Sequence, residues 1–272
     1  MDAKVEQADI ASNALEKNKV PAVDRVMAVL AILEQRADGT SIRDLVEALG
    51  LPRTTVYRVL NSLEIHGMVR RSAHGSYTLG PRLLSLAARV VRDEGHNDLA
   101  NLAMPHMRRI SSTVRQSVKL SVVDGDSALV IATSASVDAF SLNVAPGQRV
   151  PLHAGAAGKV LLAHFPTAEM EAYVTGDLAS YTQNTIADAD QLRAELDQVR
   201  ERGWADDHGE FTPNVEAFAA AITDHAGKTK AALSIAFLSG LSLREREMIR
   251  STVITGAGAI SADLPPPRVS GA

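Results

Sequence analysis

The sequence predicts an α+β fold in two parts, and three observations predict it. Between residues 20 and 67, apolar residues recur at helical spacing in three short segments that glycine and proline separate. Residues 68–71 and 76–79 have strand character on either side of a short turn, which is typical of a β-hairpin. From residue 97 onward, strand and helix patterns interleave with hairpin turns at residues 124–125 and 224–227, which favours a mostly antiparallel sheet flanked by helices.

The composition excludes several classes of protein. Of the 272 residues, 46% are hydrophobic and 22% are charged, as in a globular protein with a substantial core. The absence of cysteine excludes disulfides, cysteine-based zinc sites and thiol catalysis. No apolar run approaches the roughly 18 residues that span a bilayer, and the N-terminus lacks the apolar core of a signal peptide. We therefore expect a cytoplasmic protein with no membrane partner.

The charge is unevenly distributed along the chain. Residues 52–92 contain seven arginines and one acid, Glu64, which gives this segment a formal charge of +6. Because the whole chain carries −4, the other residues together carry −10. A basic patch on an acidic protein indicates a polyanionic partner for that patch alone.

Residues 20–67 predict three helices that contain a helix-turn-helix. The first helix opens at Pro21 and carries one apolar face, formed by Val23, Val26, Met27, Leu30 and Leu33. Ser41, with Asp44 three residues later, is typical of a helix N-cap and opens the short second helix. Residues 50–52 then form a tight corner into the third helix, and two short helices joined by such a turn indicate a helix-turn-helix.

The third helix, over residues 52–66, has two faces of opposite character. Its apolar stripe, which suits packing on a small core, consists of Val56, Val59, Leu60 and Leu63. The opposite face carries no acid and offers guanidinium, hydroxyl and amide groups that can contact phosphates and base edges in the major groove of DNA. An ordinary solvent-exposed helix face is the alternative, and the neighbouring segments decide between the two.

The hairpin that follows carries Arg70, Arg71 and His74, which are placed to reach phosphates or the minor groove. Three helices followed by such a hairpin predict a winged helix-turn-helix over residues 20–80, preceded by a flexible tail over residues 1–19. The predicted DNA-binding residues are Ser41, Arg53, Thr54, Thr55, Tyr57, Arg58, Asn61, Arg70, Arg71 and His74.

A separate apolar helix is predicted next. Gly80 and Pro81 break the chain, and residues 82–92 are helical with apolar residues over much of the surface. Such a helix between domains packs on another surface, and we expect this to be a partner subunit. We assign residues 81–96 to a linker helix used in dimerisation, residues 97–264 to a second domain and residues 265–272 to a disordered tail.

Several separated segments of the chain resemble the IclR family of bacterial transcriptional regulators. The similarity rests on residues 50–60 and 77–80 in the first part, and on residues 151–159, 196–205 and 224–234 in the second. The resemblance implies a winged helix-turn-helix, a dimerising linker helix and a GAF-like effector-binding domain. It also implies homodimers or tetramers built as dimers of dimers, with repression of catabolic genes as the commoner mode.

The resemblance further implies which residues contact a small-molecule effector. These are Ala156, Ala157, Asp207, Ala217, Ser234 and Ala236. Two positions depart from the family, since Asn214 stands where glycine is usual and Ala221 stands where proline is common. Both departures concern the local backbone and therefore the shape of the pocket. Four of the six residues are alanine, which predicts a roomier and less polar pocket than in members that bind very small acids.

Residues 151–158 also favour ligand binding on physical grounds, apart from the resemblance. Their small side chains let a ligand approach the backbone, and the unpaired N–H groups at the start of the following helix favour a carboxylate. Close helix packing, which also favours glycine and alanine, is the alternative. The segment is not a phosphate-binding P-loop, because its spacing differs and no serine or threonine follows Lys159.

Residues 206–210, Asp-Asp-His-Gly-Glu, permit three interpretations. They can ligate a metal, act as acid and base, or form a solvated turn, which is the commonest case. We expect Asp207 to accept a hydrogen bond from a ligand hydroxyl or to order the pocket. The sequence contains no Gly-x-Ser-x-Gly, His-Glu-x-x-His or glycine-rich nucleotide motif, so we assign no catalytic residue, no metal and no cofactor.

Our main hypothesis is a ligand-responsive transcriptional regulator. A dimer places two copies of residues 52–66 in the major grooves of a near-palindromic operator in double-stranded DNA. Binding of a small organic acid or aromatic metabolite then releases the dimer from the operator or rearranges it there. One alternative is an enzyme that acts on a small acid through the second domain, with residues 206–210 as its support. Another is a non-specific architectural DNA-binding protein, which needs no pocket.

Overall fold

The structure, a computed structural model, describes residues 20–36, 38–90, 94–136, 142 and 145–266. Two compact units divide between residues 93 and 94. The predicted tail over residues 1–19 lies outside the described residues, as do residues 91–93 of the predicted linker helix and residues 267–272. Among the helices of the described part, none is long and apolar enough to cross a membrane.

The first unit combines short helices with a two-stranded hairpin. Its elements are α1 (Pro21–Glu34), α2 (Ile42–Leu49), α3 (Arg53–Ile65), β1 (Val69–Arg71), β2 (Tyr77–Leu79) and α4 (Arg82–Val90). The hairpin is antiparallel, with Val69 opposite Leu79, and Thr40 joins its edge through two backbone hydrogen bonds of 2.9 Å to Tyr77. This arrangement confirms the predicted winged helix-turn-helix.

Local sequence explains where α2 and α3 begin. Ser41 accepts a hydrogen bond from the Asp44 N–H at 3.2 Å and so caps α2 as predicted. Pro52 lies immediately before α3, where its missing N–H costs no helical hydrogen bond.

The first unit buries one small apolar core, which Tyr77 of the hairpin helps to close. Its buried members are Val29, Leu33, Leu45, Val56, Leu60, Leu63, Val69 and Tyr77. The predicted apolar face of α1 is wrong in part, because Val23 and Met27 are 54% and 58% exposed whereas Val29 is fully buried. α1 carries more apolar side chains than one face can bury, and the packing of α2 and α3 selects which of them lie inside.

The second unit is built on a six-stranded sheet in the order β5-β4-β3-β8-β7-β6, and every neighbouring pair is antiparallel. The strands are β3 (Val118–Asp124), β4 (Ser127–Ser134), β5 (Arg149–Pro151), β6 (Trp204–His208), β7 (Val215–Thr223) and β8 (Thr229–Leu238). The helices are α5 (Glu94–Val114), α6 (Ala156–Ala163), α7 (Thr167–Val174), α8 (Ala189–Arg202) and α9 (Leu243–Asp263).

Helices cover both faces of this sheet. α5 and α9 contribute to one apolar cluster, and α6, α7 and α8 contribute to another. Successive residues of β8 alternate between the two clusters, with Leu233 and Ile235 in the first and Ala232 and Ala236 in the second. The predicted α+β fold with an antiparallel sheet flanked by helices is therefore confirmed.

Candidate DNA-binding surface and effector pocket

The outward face of α3 is exposed and has no acid in the first helical turn. Four of the predicted DNA-binding residues on this helix are exposed, namely Arg53, Thr54, Tyr57 and Arg58. Two more, Thr55 and Asn61, are half-buried. The inward face buries Val56, Leu60 and Leu63 in the core. Packing therefore fixes the helix on one side and leaves hydrogen-bond donors free on the other.

The wing, which consists of β1, β2 and the turn between them, presents its basic residues to solvent. Arg70, Arg71 and His74 are all exposed. The Arg71 guanidinium lies 5.7 Å from the centre of the Tyr77 ring, a cation–π contact that restricts its orientation. The structure thus brings the predicted basic residues together on one short hairpin that directly follows α3.

Ser41 differs from the other predicted DNA-binding residues, because its hydroxyl is already engaged. The hydroxyl donates to the Asp44 carboxylate at 2.8 Å and accepts from the Asp44 N–H. Its role in the described structure is to start α2. A contact with DNA remains a prediction and requires the hydroxyl to exchange its partner.

The second unit contains a cavity of about 150 Å³ between the sheet and the start of α6. All six residues predicted as effector contacts line it: Ala156, Ala157, Asp207, Ala217, Ser234 and Ala236. The register of the sheet places Ala217 beside Asp207 on one side and beside Ala236 on the other. A cavity of roughly 150 Å³ is large enough to hold benzene, so a single aromatic ring matches this space.

Two glycines shape the entrance to α6. Gly155 has a φ of 99°, a conformation that side chains other than glycine rarely adopt, and it lines the cavity. Gly158 lies so close to the preceding strand that a Cβ atom there would be 2.4 Å from the Pro151 carbonyl oxygen. The small residues of this segment therefore serve both close packing and access to the backbone.

The acidic segment over residues 206–210 is not a solvated turn. Trp204–His208 form β6, an element that we did not predict, and Asp207 and Glu210 are buried. The Glu210 carboxylate accepts from the Lys159 ammonium at 2.6 Å and from the Gly155 N–H at 3.3 Å. Asp207 accepts from the Glu210 N–H at 2.7 Å. Internal partners thus engage these carboxylates, and the described residues contain no group of side chains suited to a metal ion.

Burial dominates the electrostatics of this acidic segment. It raises the pKa of Glu210 against the opposing effect of the Lys159 charge. It also raises the pKa of Asp207, although backbone hydrogen bonds from Glu210 and Gly209 favour the ionised form. Of these two carboxylates Asp207 lines the cavity, so the wall next to α6 contains an acid that is held by internal hydrogen bonds and ionises less readily than usual.

His153 anchors the loop that precedes α6. Its Nε2 donates to the Ala179 carbonyl at 2.9 Å, so its Nδ1 is free to accept from the Tyr173 hydroxyl at 2.8 Å. That hydroxyl in turn accepts from the Leu152 N–H at 3.1 Å. Every polar atom of this buried group is paired, and its role is to hold the loop in place.

Sequence reasoning missed Lys119, whose side chain also lines the cavity. Burial lowers the pKa of Lys119, while the negative charge of Asp207 acts in the opposite direction. The available signal was the alternation of residues 117–121, in which serine and lysine occupy every second position. Such an alternation is typical of a face that points to solvent, but α6 covers this face of the sheet.

The two departures from the family lie outside the cavity lining. Asn214 has a φ of 61°, a left-handed conformation that asparagine tolerates better than most residues and that glycine favours. The Ala221 N–H donates to the Gly203 carbonyl at 3.2 Å, a hydrogen bond that proline is unable to make. Neither residue belongs to the lining of the cavity.

Comparison with known proteins finds a matching family domain for each of the two units. The chain matches the IclR helix-turn-helix domain over residues 22–73 and the C-terminal domain of the bacterial transcriptional regulator IclR over residues 94–262. The HTH-type transcriptional regulator KipR of Bacillus subtilis is 32% identical over 221 residues, which is 81% of this chain and 87% of that protein.

Two further proteins extend the comparison. The HTH-type transcriptional repressor AllR of Escherichia coli is 29% identical over 240 residues, which is 85% of this chain and 87% of that protein. The crystal structure of an IclR homolog from Microbacterium hydrocarbonoxydans, complexed with 4-hydroxybenzoate, has a TM-score of 0.68 and 25% identity and covers 89% of this chain and 100% of that one. Together with the winged helix-turn-helix and the antiparallel α+β domain, these matches show that the chain belongs to the IclR family of HTH-type transcriptional regulators.

Proposed function

We propose that this regulator binds a near-palindromic operator in double-stranded DNA and represses catabolic genes. Each α3 enters a major groove, where Arg53 and Arg58 contact phosphate or guanine. Thr54, Tyr57 and Asn61 contact base edges, and the wing reaches phosphates or the minor groove. The observation that carries the proposal is the exposed face of α3, which has no acid in its first helical turn, with an arginine-bearing hairpin directly after it. Repression is favoured because AllR is named as a repressor.

We propose that the protein acts in the cytoplasm as a homodimer, or as a tetramer of two such dimers. α4 leaves two large apolar side chains in solvent, since Leu84 is 74% exposed and Leu86 is 44% exposed. An apolar helix face of this kind is stabilised when a second copy of the chain covers it. Two-fold symmetry of a dimer would match the symmetry of a near-palindromic operator.

We propose that the cavity of the second unit binds a small organic acid or an aromatic metabolite as effector. Its volume matches a single ring, and its lining combines alanines with a few polar groups, as is usual for small-molecule sites. The related structure complexed with 4-hydroxybenzoate supports a ligand of this size. Ligand binding would change the dimer geometry through α4 and so change the spacing of the two α3 helices.

The proposal contains no catalytic step. The enzyme alternative depended on residues 206–210, and the Glu210 carboxylate is committed to Lys159 and Gly155. The architectural alternative needs no cavity, whereas the second unit has one with several polar groups in its wall. Neither alternative has a separate observation in its favour.

The proposed function is tested by a gel-shift titration. A binding site is first selected from a random duplex library with the full-length protein, and the affinity for this site is then measured at fixed salt with and without 4-hydroxybenzoate. We expect the selected site to bind more tightly than an unrelated duplex and the ligand to change that affinity. Equal affinity for both duplexes would support the architectural alternative, and conversion of the ligand to a product would support the enzyme.

A further inference from the structure

One corner of the cavity carries a lysine and two hydroxyl groups with unused hydrogen-bonding capacity. Lys119 and Ser121 lie two residues apart on the same face of β3, and the sheet register places Ser234 of β8 beside Lys119. None of these three side chains makes a hydrogen bond or an ion pair to another described residue. We call this group the lysine corner. It contains one positive charge and two hydroxyl donors, all lining the same cavity.

The lysine corner lies across the cavity from Asp207. The strand order places β8 and β7 between β3 and β6, so Lys119 and Asp207 lie on strands that are three positions apart in the sheet. Both side chains line the cavity between them. Ala217 and Ala236, on the intervening strands, provide an apolar surface between these two polar ends.

The two polar ends of the cavity differ in whether their side chains already have hydrogen-bond partners. Asp207 already accepts a backbone hydrogen bond from Glu210, and the start of α6 already faces the Glu210 carboxylate through the Gly155 N–H. No described acid forms an ion pair with Lys119, and the charge that acts on it is that of Asp207, at the other end of the cavity. Because a charge in a partly buried site is stabilised by a partner of opposite sign, the lysine corner favours an anion more strongly than the start of α6 does.

We propose that Lys119, Ser121 and Ser234 form the subsite that holds the carboxylate of the effector, and that Lys119 selects acids over neutral molecules of the same shape. This inference rests on the proposed function of the cavity as the effector site. The Lys119 ammonium and the two hydroxyls donate to the carboxylate oxygens, and the ring lies over Ala217 and Ala236. A hydroxyl at the far end of the ligand donates to Asp207. The preferred class of effector is therefore a hydroxy acid with a single ring.

The test measures two ligands of nearly the same shape, one an anion and the other neutral. Isothermal titration calorimetry of the full-length protein compares 4-hydroxybenzoate with the neutral 4-hydroxybenzamide, for the native chain and for Lys119→Met. We expect the native chain to prefer the acid, and Lys119→Met to lose about 10- to 100-fold in affinity for the acid while its affinity for the amide stays unchanged. Lys119→Arg, which keeps the charge, should retain a preference for the acid.

A control and a folding check accompany the titration. Lys228→Met removes an exposed lysine from the turn between β7 and β8 and should leave both affinities unchanged. The fluorescence of Trp204, the one tryptophan of the chain, reports whether each variant has folded.

Several results would overturn the proposal. Equal affinity of the native chain for acid and amide would do so even if Lys119→Met failed to fold. The proposal would also be overturned if the native chain failed to bind the acid. The same holds if a folded Lys119→Met variant lost affinity equally for the acid and the amide. The titration contains no DNA, so a missing preference for the acid overturns this inference alone. Failure of the proposed function would appear separately, as an operator affinity that bound ligand leaves unchanged.

Discussion

Replacing Lys159 with methionine removes one charge behind the effector pocket while keeping a long unbranched side chain. The Lys159 ammonium lies 2.6 Å from Glu210 Oε1 and 3.4 Å from Glu195 Oε1, and the lysine side chain is 2% exposed. After the substitution, Glu195 keeps its ion pair with Arg202 at 3.1 Å, whereas Glu210 keeps the Gly155 N–H at 3.3 Å. The loss of stability should therefore arise from Glu210, whose charge then has no nearby cation.

The size of this loss follows from the protonation of Glu210. A buried carboxylate without its cation takes up a proton, and from the ordinary pKa of 4.5 this costs at most about 3.4 kcal/mol at pH 7 and about 2 kcal/mol at pH 6. Burial already raises the pKa of Glu210, and removing Lys159 raises it further. A raised pKa in the folded state favours folding at low pH, and this contribution disappears as the pH rises through the raised value. We therefore expect the variant to lose up to about 3 kcal/mol in free energy of unfolding at pH 7 and a smaller amount at pH 6.

Urea titration followed by tryptophan fluorescence measures this loss. Trp204, the one tryptophan, lies in β6, so the signal reports the unfolding of the second unit. Adding Glu210→Gln to the Lys159→Met variant should recover much of the lost stability, because the uncompensated charge is removed. Lys230→Met, on the surface, is the matched control and should change little. An equal loss at pH 6 and pH 7 would refute the reasoning, because it would trace the effect to packing and not to charge.

Three further substitutions test other parts of the molecule. Arg58→Ala should weaken operator binding by about 1–3 kcal/mol if the contact is to a base, and a gel shift at fixed salt that shows no change relative to Arg244→Ala would count against that contact. Gly158→Ala places a Cβ atom 2.4 Å from the Pro151 carbonyl oxygen, so the second unit should lose about 1–3 kcal/mol of stability. The variant should also bind ligand more weakly in calorimetry, and native-like binding would contradict this packing. Leu84→Asp should lower the oligomeric state in analytical ultracentrifugation, and an unchanged mass would mean that α4 does not form the subunit interface.

The winged helix-turn-helix was predictable from the sequence because its signals are local. Ser41 caps α2, Pro52 precedes α3, and the apolar spacing of α3 identifies which side chains face the core. The exposed face of the same helix follows once the buried face is known. The prediction for α1 was less accurate, since Val23 and Met27 are apolar but exposed. Only the packing of α2 and α3 against α1 determines which of its apolar residues are buried.

The effector pocket was predictable only in part. The six predicted residues do line one cavity, but they come from α6, β6, β7 and β8 and were taken from a family resemblance, not from spacing. Lys119 was missed because the alternation along β3 identifies a polar face without indicating what covers it. The sequence left three interpretations open for residues 206–210 for a similar reason. The acids of this segment are typical of a turn, and only the distant Lys159 explains how Glu210 is accommodated inside the protein.

The central claim is that the cavity of the second unit and the DNA-binding surface of the first are thermodynamically coupled. The most direct test is the dissociation constant of 4-hydroxybenzoate, measured by calorimetry with and without saturating operator DNA. Because coupling between two binding sites is reciprocal, operator DNA should change the affinity for the ligand by the same factor by which the ligand changes the affinity for the operator. A ligand affinity that is identical in the presence and absence of the operator would contradict the account.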